Sequence, residues 1–265
     1  MNLDGKTAFI TGGGGGIGGG MAEAFVEKGM NVVLADIDLD FAQKQADKLG
    51  ERAFAVALDV TCLDSWKKAR EAALQRFGSV EVLCNNAGIS MPREPIDQVP
   101  VERFAQVMAI NVTGVYNGIR TFADDLRKAG SGHIVNTSSM NGLLPFGTFG
   151  PYSASKFAVL GLSDALRQEM APHGVGVSTL FPGLTRSRMS EGDMEAGDIP
   201  QELKDSMMEP VWLGRAVVRA IESNEPYIIS HPGYRPMLEA RCQELLAAFG
   251  DPAQPGYSGG SSSRG

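Results

Sequence analysis

The sequence predicts an α/β domain in which a doubly wound, seven-stranded parallel sheet carries helices on both faces, a three-layer α/β/α arrangement. Seven short apolar runs alternate with longer amphipathic stretches along most of the 265 residues. The runs are rich in Val, Ile and Ala, which is typical of parallel strands buried on both faces. Neither a linker nor an internal repeat interrupts the alternation, so we expect one sheet with right-handed crossovers.

The elements follow one another in a regular order from the amino terminus. A strand at 7–11, a helix at 17–29 and a strand at 31–36 form the first β-α-β unit. Further strands are predicted at 52–58, 80–86, 133–139, 175–181 and 227–230, and further helices at 38–50, 64–78, 99–128, 151–172 and 211–222.

Two segments depart from this alternation. Residues 186–210 carry methionines among acidic residues and glycines, which favours a lid-like connection over a core element. Residues 251–265 are rich in Gly, Ser and Pro, so a flexible tail is expected. The sequence is therefore interpreted as a single domain over 1–250 followed by a tail.

Composition and charge exclude several classes of partner. The net charge of -7 and the pI of about 5.1 argue against a nucleic-acid partner, because such a surface is normally basic. No apolar run reaches membrane-spanning length, and the amino terminus lacks the apolar segment of a secretory signal, so a cytoplasmic protein without a membrane partner is expected. Cys62, Cys84 and Cys242 form no CxxC pair and are expected to be reduced, buried thiols.

A glycine-rich turn, TGGGGGIGGG, spans residues 11–20, between the first predicted strand and the first predicted helix. Such a turn presents backbone N–H groups and the positive end of the helix dipole to a diphosphate, and side chains would block the approach. Gly12, Gly16 and Gly18 are the expected contact positions, although several GxG registers fit the run. The alternative is a flexible glycine loop without a ligand.

Asp36 ends the second predicted strand and lies 18 residues beyond Gly18. This separation is typical of a carboxylate that binds the adenosine ribose hydroxyls of a dinucleotide. The residue favours NAD, because the 2′-phosphate of NADP would meet a negative charge that no nearby lysine or arginine offsets. The alternative is an exposed carboxylate at a strand end.

Tyr152 and Lys156 lie four residues apart in a predicted helix, so both side chains project from one face. A positive charge beside a phenol favours the phenolate and lowers the pKa of the tyrosine, which makes the pair a candidate acid/base. Tyrosine and lysine at this spacing are also common on solvated helices, so the pair alone does not decide the function.

Several motifs in order resemble the single-domain branch of the short-chain dehydrogenase/reductase family. They are TGGGGGIG (11–18), Asp59-Val60, NNAG (85–88), Asn111 within INVTG, the serine of VNTSS, YSASK (152–156) and PG (182–183). The resemblance covers about residues 4–232 and implies a Rossmann-like sheet in an NAD-binding catalytic domain.

The resemblance implies four catalytic residues, Asn111, Ser139, Tyr152 and Lys156. Tyr152 would exchange the hydroxyl proton of the substrate, and Lys156 would lower its pKa and bind the nicotinamide ribose. Ser139 is preferred over Ser138 because it lies 13 residues before Tyr152, the spacing usual in the family. Asn111 resembles the family's helix-kinking asparagine, which holds a water that connects Lys156 to solvent.

The resemblance also implies NAD as the cofactor, and no metal. His133, His173 and His231 are scattered without ligand spacing, in agreement with a metal-free site. Besides the residues already named, the cofactor is expected to contact Ile17, Ile37, Asp59, Val60, Asn86, Ala87, Gly88, Pro182, Gly183, Leu184 and Ser187.

The expected substrate is a secondary alcohol or ketone with an aromatic or alicyclic body. Leu143, Phe146, Phe149 and Met189 would form an apolar pocket, although they could equally pack the lid against the core. The main alternative is an NADPH-dependent ketone or 3-oxoacyl reductase, and a non-catalytic NAD-binding sensor is a further one. Members of the family commonly form homotetramers or homodimers, which is the oligomeric state implied here.

Overall fold

The computed structural model describes residues 1–187 and 207–250, and these residues form a seven-stranded parallel sheet. The strands are β1 Thr7–Thr11, β2 Asn31–Asp36, β3 Ala53–Ala57, β4 Val82–Asn85, β5 Gly132–Thr137, β6 Val175–Phe181 and β7 Tyr227–Ile229. Their order in the sheet is β3-β2-β1-β4-β5-β6-β7, so the order reverses between β1 and β4 and opens a crevice at the carboxyl ends of these two strands. The predicted sheet is confirmed, with strand ends displaced by up to two residues.

Helices between residues 16 and 223 cover both faces of this sheet. The helical stretches predicted around 99–128 are two helices: a π-helical turn, Ala109–Thr113, separates α4 (Val101–Met108) from α5 (Gly114–Ala129). This turn contains Asn111, the residue expected to kink the helix. The helices are α1 Gly16–Glu27, α2 Leu39–Leu49, α3 Leu63–Phe77, α4 Val101–Met108, α5 Gly114–Ala129, α6 Gly150–Met170, α7 Pro210–Ser223 and α8 Arg235–Ala247.

Alternate side chains of each strand enter different cores, as the pleat of a strand requires. In β1, Ala8 and Ile10 belong to the cluster with α1 and α7, whereas Phe9 belongs to the cluster with α3 and α5. In the second cluster the rings of Phe9, Trp66 and Phe122 contact one another, with centroids 5.0 to 6.4 Å apart. The sheet is thus held rigidly from both sides, and its carboxyl edge positions the loops described below.

The chain divides into two compact units, Met1–His231 and Pro232–Gly265. The second unit contains α8, a helix that the sequence pattern does not predict and in which no residue is buried. Most of the predicted lid (186–210) and the whole predicted tail (251–265) lie outside the described residues, so both stay predictions, as do the single domain over 1–250 and the oligomeric state.

The expectation of buried cysteines is wrong for two of the three. Cys84 lies in β4 and is buried, and burial raises the pKa of its thiol. Cys62, immediately before α3, and Cys242, on α8, are exposed. The prediction assumed that a scattered cysteine behaves as a small hydrophobic residue. Among the described residues, no helix combines the length and the apolar character that a membrane span requires.

Candidate active site

The glycine-rich turn lies at the crevice between β1 and β4, where its backbone approaches the loop after β4. A Cβ atom on Gly12 would lie 3.1 Å from Ala87 Cα, and one on Gly18 would overlap the carbonyl oxygen of Gly12. Gly12 also has a φ of 64°, a conformation that favours glycine. The turn is therefore built without side chains, and it ends where α1 begins at Gly16, so it can accept a diphosphate at the amino end of that helix.

Thr11 fixes the distance between this turn and the loop after β4. Its hydroxyl oxygen accepts hydrogen bonds from the backbone N–H groups of Asn86 and Ala87, both at 2.9 Å. The side chain of Asn86 in turn donates to the carbonyl oxygen of Thr11 at 3.0 Å. The NNAG motif is thus held against the glycine-rich turn, with Ala87 and Gly88 half-buried beside it.

Asp36 lies at the end of β2 with its carboxylate directed to the turn. One oxygen accepts from the backbone N–H of Gly14 at 3.0 Å and the other from that of Asp38 at 3.1 Å. Each carboxylate oxygen keeps a further lone pair for a ligand hydroxyl. The adjacent Ile37 is 78% exposed, an apolar surface beside the carboxylate that suits an adenine ring.

The loops after β3 and β6 complete the edge of the crevice. Asp59 binds the backbone N–H and the hydroxyl of Thr61 at 2.9 and 2.7 Å, so its carboxylate shapes its own turn. The carbonyl oxygen of Val60 accepts from Trp66 Nε1 at 2.9 Å.

After β6, the carbonyl oxygen of Pro182 accepts from the N–H of Met140 at 3.0 Å, and Leu184 is half-buried. Ser187 contacts the glycine-rich turn, since a Cβ on Gly16 would lie 2.9 Å from Ser187 Cβ. Ile17 is partly buried and packs on the core beneath the turn.

Tyr152 and Lys156 lie one turn apart on α6, as the sequence predicts. Lys156 Nζ is 5.6 Å from the centroid of the Tyr152 ring, and it donates a hydrogen bond to the carbonyl oxygen of Thr137 at 3.0 Å. The lysine is 4% exposed, and this burial lowers its pKa to about 8. The ammonium is therefore still mostly charged at neutral pH, although less firmly than a solvated lysine.

The two adjacent serines after β5 differ in their hydrogen bonds. Ser138 Oγ donates to the carbonyl oxygen of Lys156 at 2.8 Å and is buried against α6. Ser139 Oγ accepts from the backbone N–H of Asn141 at 3.2 Å, and its own proton has no acceptor in the hydrogen bonds of the described residues. Ser139 is thus the serine whose hydroxyl proton is left for a ligand, and its catalytic role stays a prediction.

Asn111 lies in the π-helical turn between α4 and α5 and is fully buried. Its amide exchanges two hydrogen bonds with the backbone of Ile89, at 2.9 and 3.0 Å, and donates a third to Ser155 Oγ at 3.1 Å. A Cβ on Gly88 would lie 3.1 Å from Asn111 Oδ1 and 3.4 Å from Lys156 Nζ. The structure therefore brings Asn111 and Lys156 to the same glycine, in the loop after β4.

The predicted substrate loop reaches the tyrosine through one aromatic contact. The centroid of the Phe149 ring lies 6.2 Å from that of the Tyr152 ring, and the guanidinium of Arg93 lies over the Phe149 ring, 5.2 Å from its centroid. Leu143 and Phe146 are half-buried in the same loop. Met189, the remaining predicted pocket residue, lies outside the described residues.

Comparison with known proteins identifies the family. A model of the short chain dehydrogenases matches residues 6–197. The chain belongs to the short-chain dehydrogenase family. The predicted family and its Rossmann-like fold are thereby confirmed, and the protein is an oxidoreductase of a family that binds a nicotinamide cofactor. The glycine-rich turn and the carboxylate at the end of β2 fit such a ligand. Among the described residues, no group of three or more His, Cys, Asp or Glu side chains could hold a metal.

Three similar proteins illustrate the range of the family around this chain. The 3-alpha-(or 20-beta)-hydroxysteroid dehydrogenase of Mycobacterium tuberculosis strain H37Rv is 35% identical over 225 residues, 85% of either chain. The C alpha-dehydrogenase of Sphingobium sp. strain SYK-6 is 30% identical over 260 residues, covering 91% of this chain and 85% of the relative. The crystal structure of a short chain dehydrogenase/reductase from Burkholderia phymatum in complex with NAD has a TM-score of 0.86 and 29% identity, covering 96% of this chain and 99% of that one.

Several residues of the site escape the sequence patterns. Thr137 supplies the acceptor for Lys156, and Ser155 supports Asn111. Ser230 Oγ accepts from the N–H of Gly183 at 3.0 Å, and His231 lies against the same glycine. Each of these residues acts through a contact with a distant segment, which the residue type alone does not reveal.

Proposed function

We propose that the protein is an NAD-dependent dehydrogenase that interconverts a secondary alcohol and a ketone, with Tyr152 as the acid/base. The observation that carries the proposal is the buried ammonium of Lys156 beside the Tyr152 ring, at the end of a crevice whose other end carries the glycine-rich turn. A cofactor that extends from Asp36 to Pro182 would bring its nicotinamide to this pair.

Tyr152, Ser139 and Lys156 have different proposed roles in proton transfer. The Tyr152 phenolate accepts the hydroxyl proton of the alcohol, while Ser139 donates a hydrogen bond to the same oxygen. Lys156 stabilises the phenolate by its charge and is itself oriented by Thr137. When bound, the nicotinamide supplies the acceptor for the hydride that leaves the alcohol carbon, so the products are a ketone, a protonated Tyr152 and reduced cofactor.

NAD is the proposed cofactor because Asp36 places a carboxylate at the ribose position. The Burkholderia phymatum structure, described as a complex with NAD, supports the same choice. The other residues proposed to contact the cofactor are Gly12, Gly16, Gly18, Asp59, Val60, Asn86, Ala87, Gly88, Pro182, Gly183, Leu184 and Ser187.

The proposed substrate carries an aromatic or alicyclic body next to the reacting carbon. Leu143, Phe146 and Phe149 provide apolar and aromatic surface beside Tyr152, which suits a rigid ring better than a polyol. The similarity to a protein named hydroxysteroid dehydrogenase points to the alicyclic branch of this class.

The test is reduction of NAD, followed at 340 nm, with a panel of aryl, alicyclic and aliphatic secondary alcohols. Wild type is expected to turn over ring-bearing alcohols, and Tyr152→Phe to lose roughly 100-fold or more in kcat while it still binds NADH, since one positioned acid/base contributes that much. Tyr116→Phe is the matched control, because Tyr116 is exposed on α5 and should keep full activity. Turnover by Tyr152→Phe at the wild-type rate would contradict the proposal.

A further inference from the structure

We propose that Phe41 is a specificity-determining residue, which fixes the preference for NAD over NADP by occupying the space where a cation for the 2′-phosphate would lie. The inference rests on the proposed function, because it takes the crevice beside Asp36 as the adenosine site. It goes beyond the carboxylate itself and explains why the turn carries no side chains at Gly14 and Gly15.

Phe41 is held in place by the same short segment that carries Asp36. The backbone N–H of Phe41 donates to Asp38 Oδ1 at 3.0 Å, where Asp38 caps the amino end of α2. The N–H of Asp38 donates to Asp36 at 3.1 Å. The position of the Phe41 ring is therefore coupled to that of the carboxylate.

The Phe41 ring lies directly on the glycine-rich turn. A Cβ on Gly15 would lie 2.5 Å from Phe41 Cζ and 2.9 Å from Cε1, and one on Gly14 would lie 3.0 Å from Cγ. These distances leave no room for a side chain while the ring stays where it is. Gly14 is buried beneath it, and the N–H of Gly14 is the donor to Asp36.

The backbone does not by itself require glycine at position 15. Gly15 has φ 178° and ψ -168°, an extended conformation that other residues adopt. The excluded volume therefore comes from Phe41 and not from backbone strain.

The position of the Phe41 ring affects whether the site can bind the additional phosphate of NADP. Dinucleotide sites that accept a 2′-phosphate use a nearby arginine to neutralise it. Positions 14 and 15 are the positions of the glycine-rich turn beside Asp36 from which such an arginine could extend, and the Phe41 ring occupies the space of a side chain at both. The only cation between residues 11 and 43 is Lys28, which binds Glu222 at the far end of α1. A 2′-phosphate at this point would thus meet the Asp36 carboxylate and the Phe41 ring, and it would find no lysine or arginine on the turn or directly after Asp36.

The test is a double-mutant cycle with Gly15→Arg, Phe41→Ala and the pair combined. Melting temperature and the dissociation constants of NADH and NADPH, measured by fluorescence, are the readouts, so no turnover is needed. Gly15→Arg alone is expected to lower the melting temperature and to weaken NADH binding. The combined variant is expected to recover the melting temperature and to bind NADPH at least 10-fold more tightly than wild type.

The control is Phe41→Ala combined with Gly15→Ala, which removes the same overlap without adding a charge and should gain no NADPH affinity. The proposal is overturned if Gly15→Arg alone gains NADPH affinity without thermal loss, or if the combined variant gains none. It is also overturned if wild type binds NADPH as tightly as NADH. Failure of the proposed dehydrogenase activity would show instead as tight NADH binding without turnover of any alcohol.

Discussion

Removing the charge of Lys156 tests how the site activates Tyr152. Lys156 Nζ lies 5.6 Å from the centroid of the Tyr152 ring. At an effective dielectric constant of about 20, a unit charge at this distance stabilises a phenolate by about 3 kcal/mol. Lys156→Met should therefore reduce the phenolate population, and with it kcat at pH 7, by roughly 100-fold.

The pH dependence of the variants tests the same effect. Raising the pH removes protons from the pair of Tyr152 and Lys156, so it can only increase the phenolate population. The kcat deficit of Lys156→Met should therefore shrink as the pH approaches about 10, where an ordinary tyrosine ionises without a neighbouring charge. Lys156→Arg keeps a positive charge, since a guanidinium stays protonated, and its deficit at pH 7 should be smaller than that of Lys156→Met.

The assay is the kcat profile from pH 6 to 10 at saturating NAD, with NADH affinity and melting temperature measured for each variant as controls. A Lys156→Met enzyme within threefold of wild type at pH 7 would refute the electrostatic reasoning. So would a deficit of a folded Lys156→Met variant that is as large at pH 10 as at pH 7.

Two further predictions concern stability and the frame of the site. Burial lowers the pKa of His133 from 6.5 to about 4. Between these two pH values the histidine is protonated in the unfolded chain and neutral in the folded chain, so the free energy of unfolding should fall by up to about 3 kcal/mol as the pH is lowered from 6.5 to 4. Urea unfolding at pH 7 and 4.5 should show a smaller loss for His133→Asn than for wild type, and equal losses would contradict this role. Thr11→Val should strand two N–H groups, cost roughly 2–4 kcal/mol and weaken NADH binding, whereas Thr11→Ser should keep both; calorimetry and NADH titration measure these effects.

Much of the fold follows from local patterns. The runs at 7–11, 31–36 and 175–181 coincide with β1, β2 and β6 because a strand buried on both faces must be apolar along its whole length. Helix α8 was missed for the converse reason: none of its residues is buried, so its sequence carries no apolar stripe at helical spacing.

The break between α4 and α5 was predicted only through the family resemblance, which identified Asn111 as a helix-kinking asparagine; the hydrophobic period did not locate it. The amphipathic stretch at 99–128 is continuous, and the π-helical turn coincides with the bonds of Asn111 to Ile89 and Ser155. Those partners lie 22 and 44 residues away in sequence. A helical period reports which face is buried, and it does not report which distant polar group a buried amide will bind.

The candidate site, like the fold, was predictable from the sequence only in part. The positions of Tyr152, Lys156 and Asp36 were predictable because short motifs place them at fixed points of a helix or a strand end. The acceptor of Lys156, the fixed loop at Asn86 and the Phe41 ring on Gly15 were not, since each depends on two segments meeting in the folded chain. The functional roles of the site residues stay predictions.

Transfer of deuterium from the alcohol carbon to the cofactor tests the proposed chemistry most directly. The best alcohol of the panel would be deuterated at its carbinol carbon and oxidised in ordinary water with NAD, and the reduced cofactor analysed by NMR. Direct hydride transfer predicts deuterium at C4 of the nicotinamide ring. A C4 carbon without deuterium, its added hydrogen drawn from solvent, would contradict direct transfer, as would oxidation of the alcohol without reduction of the cofactor.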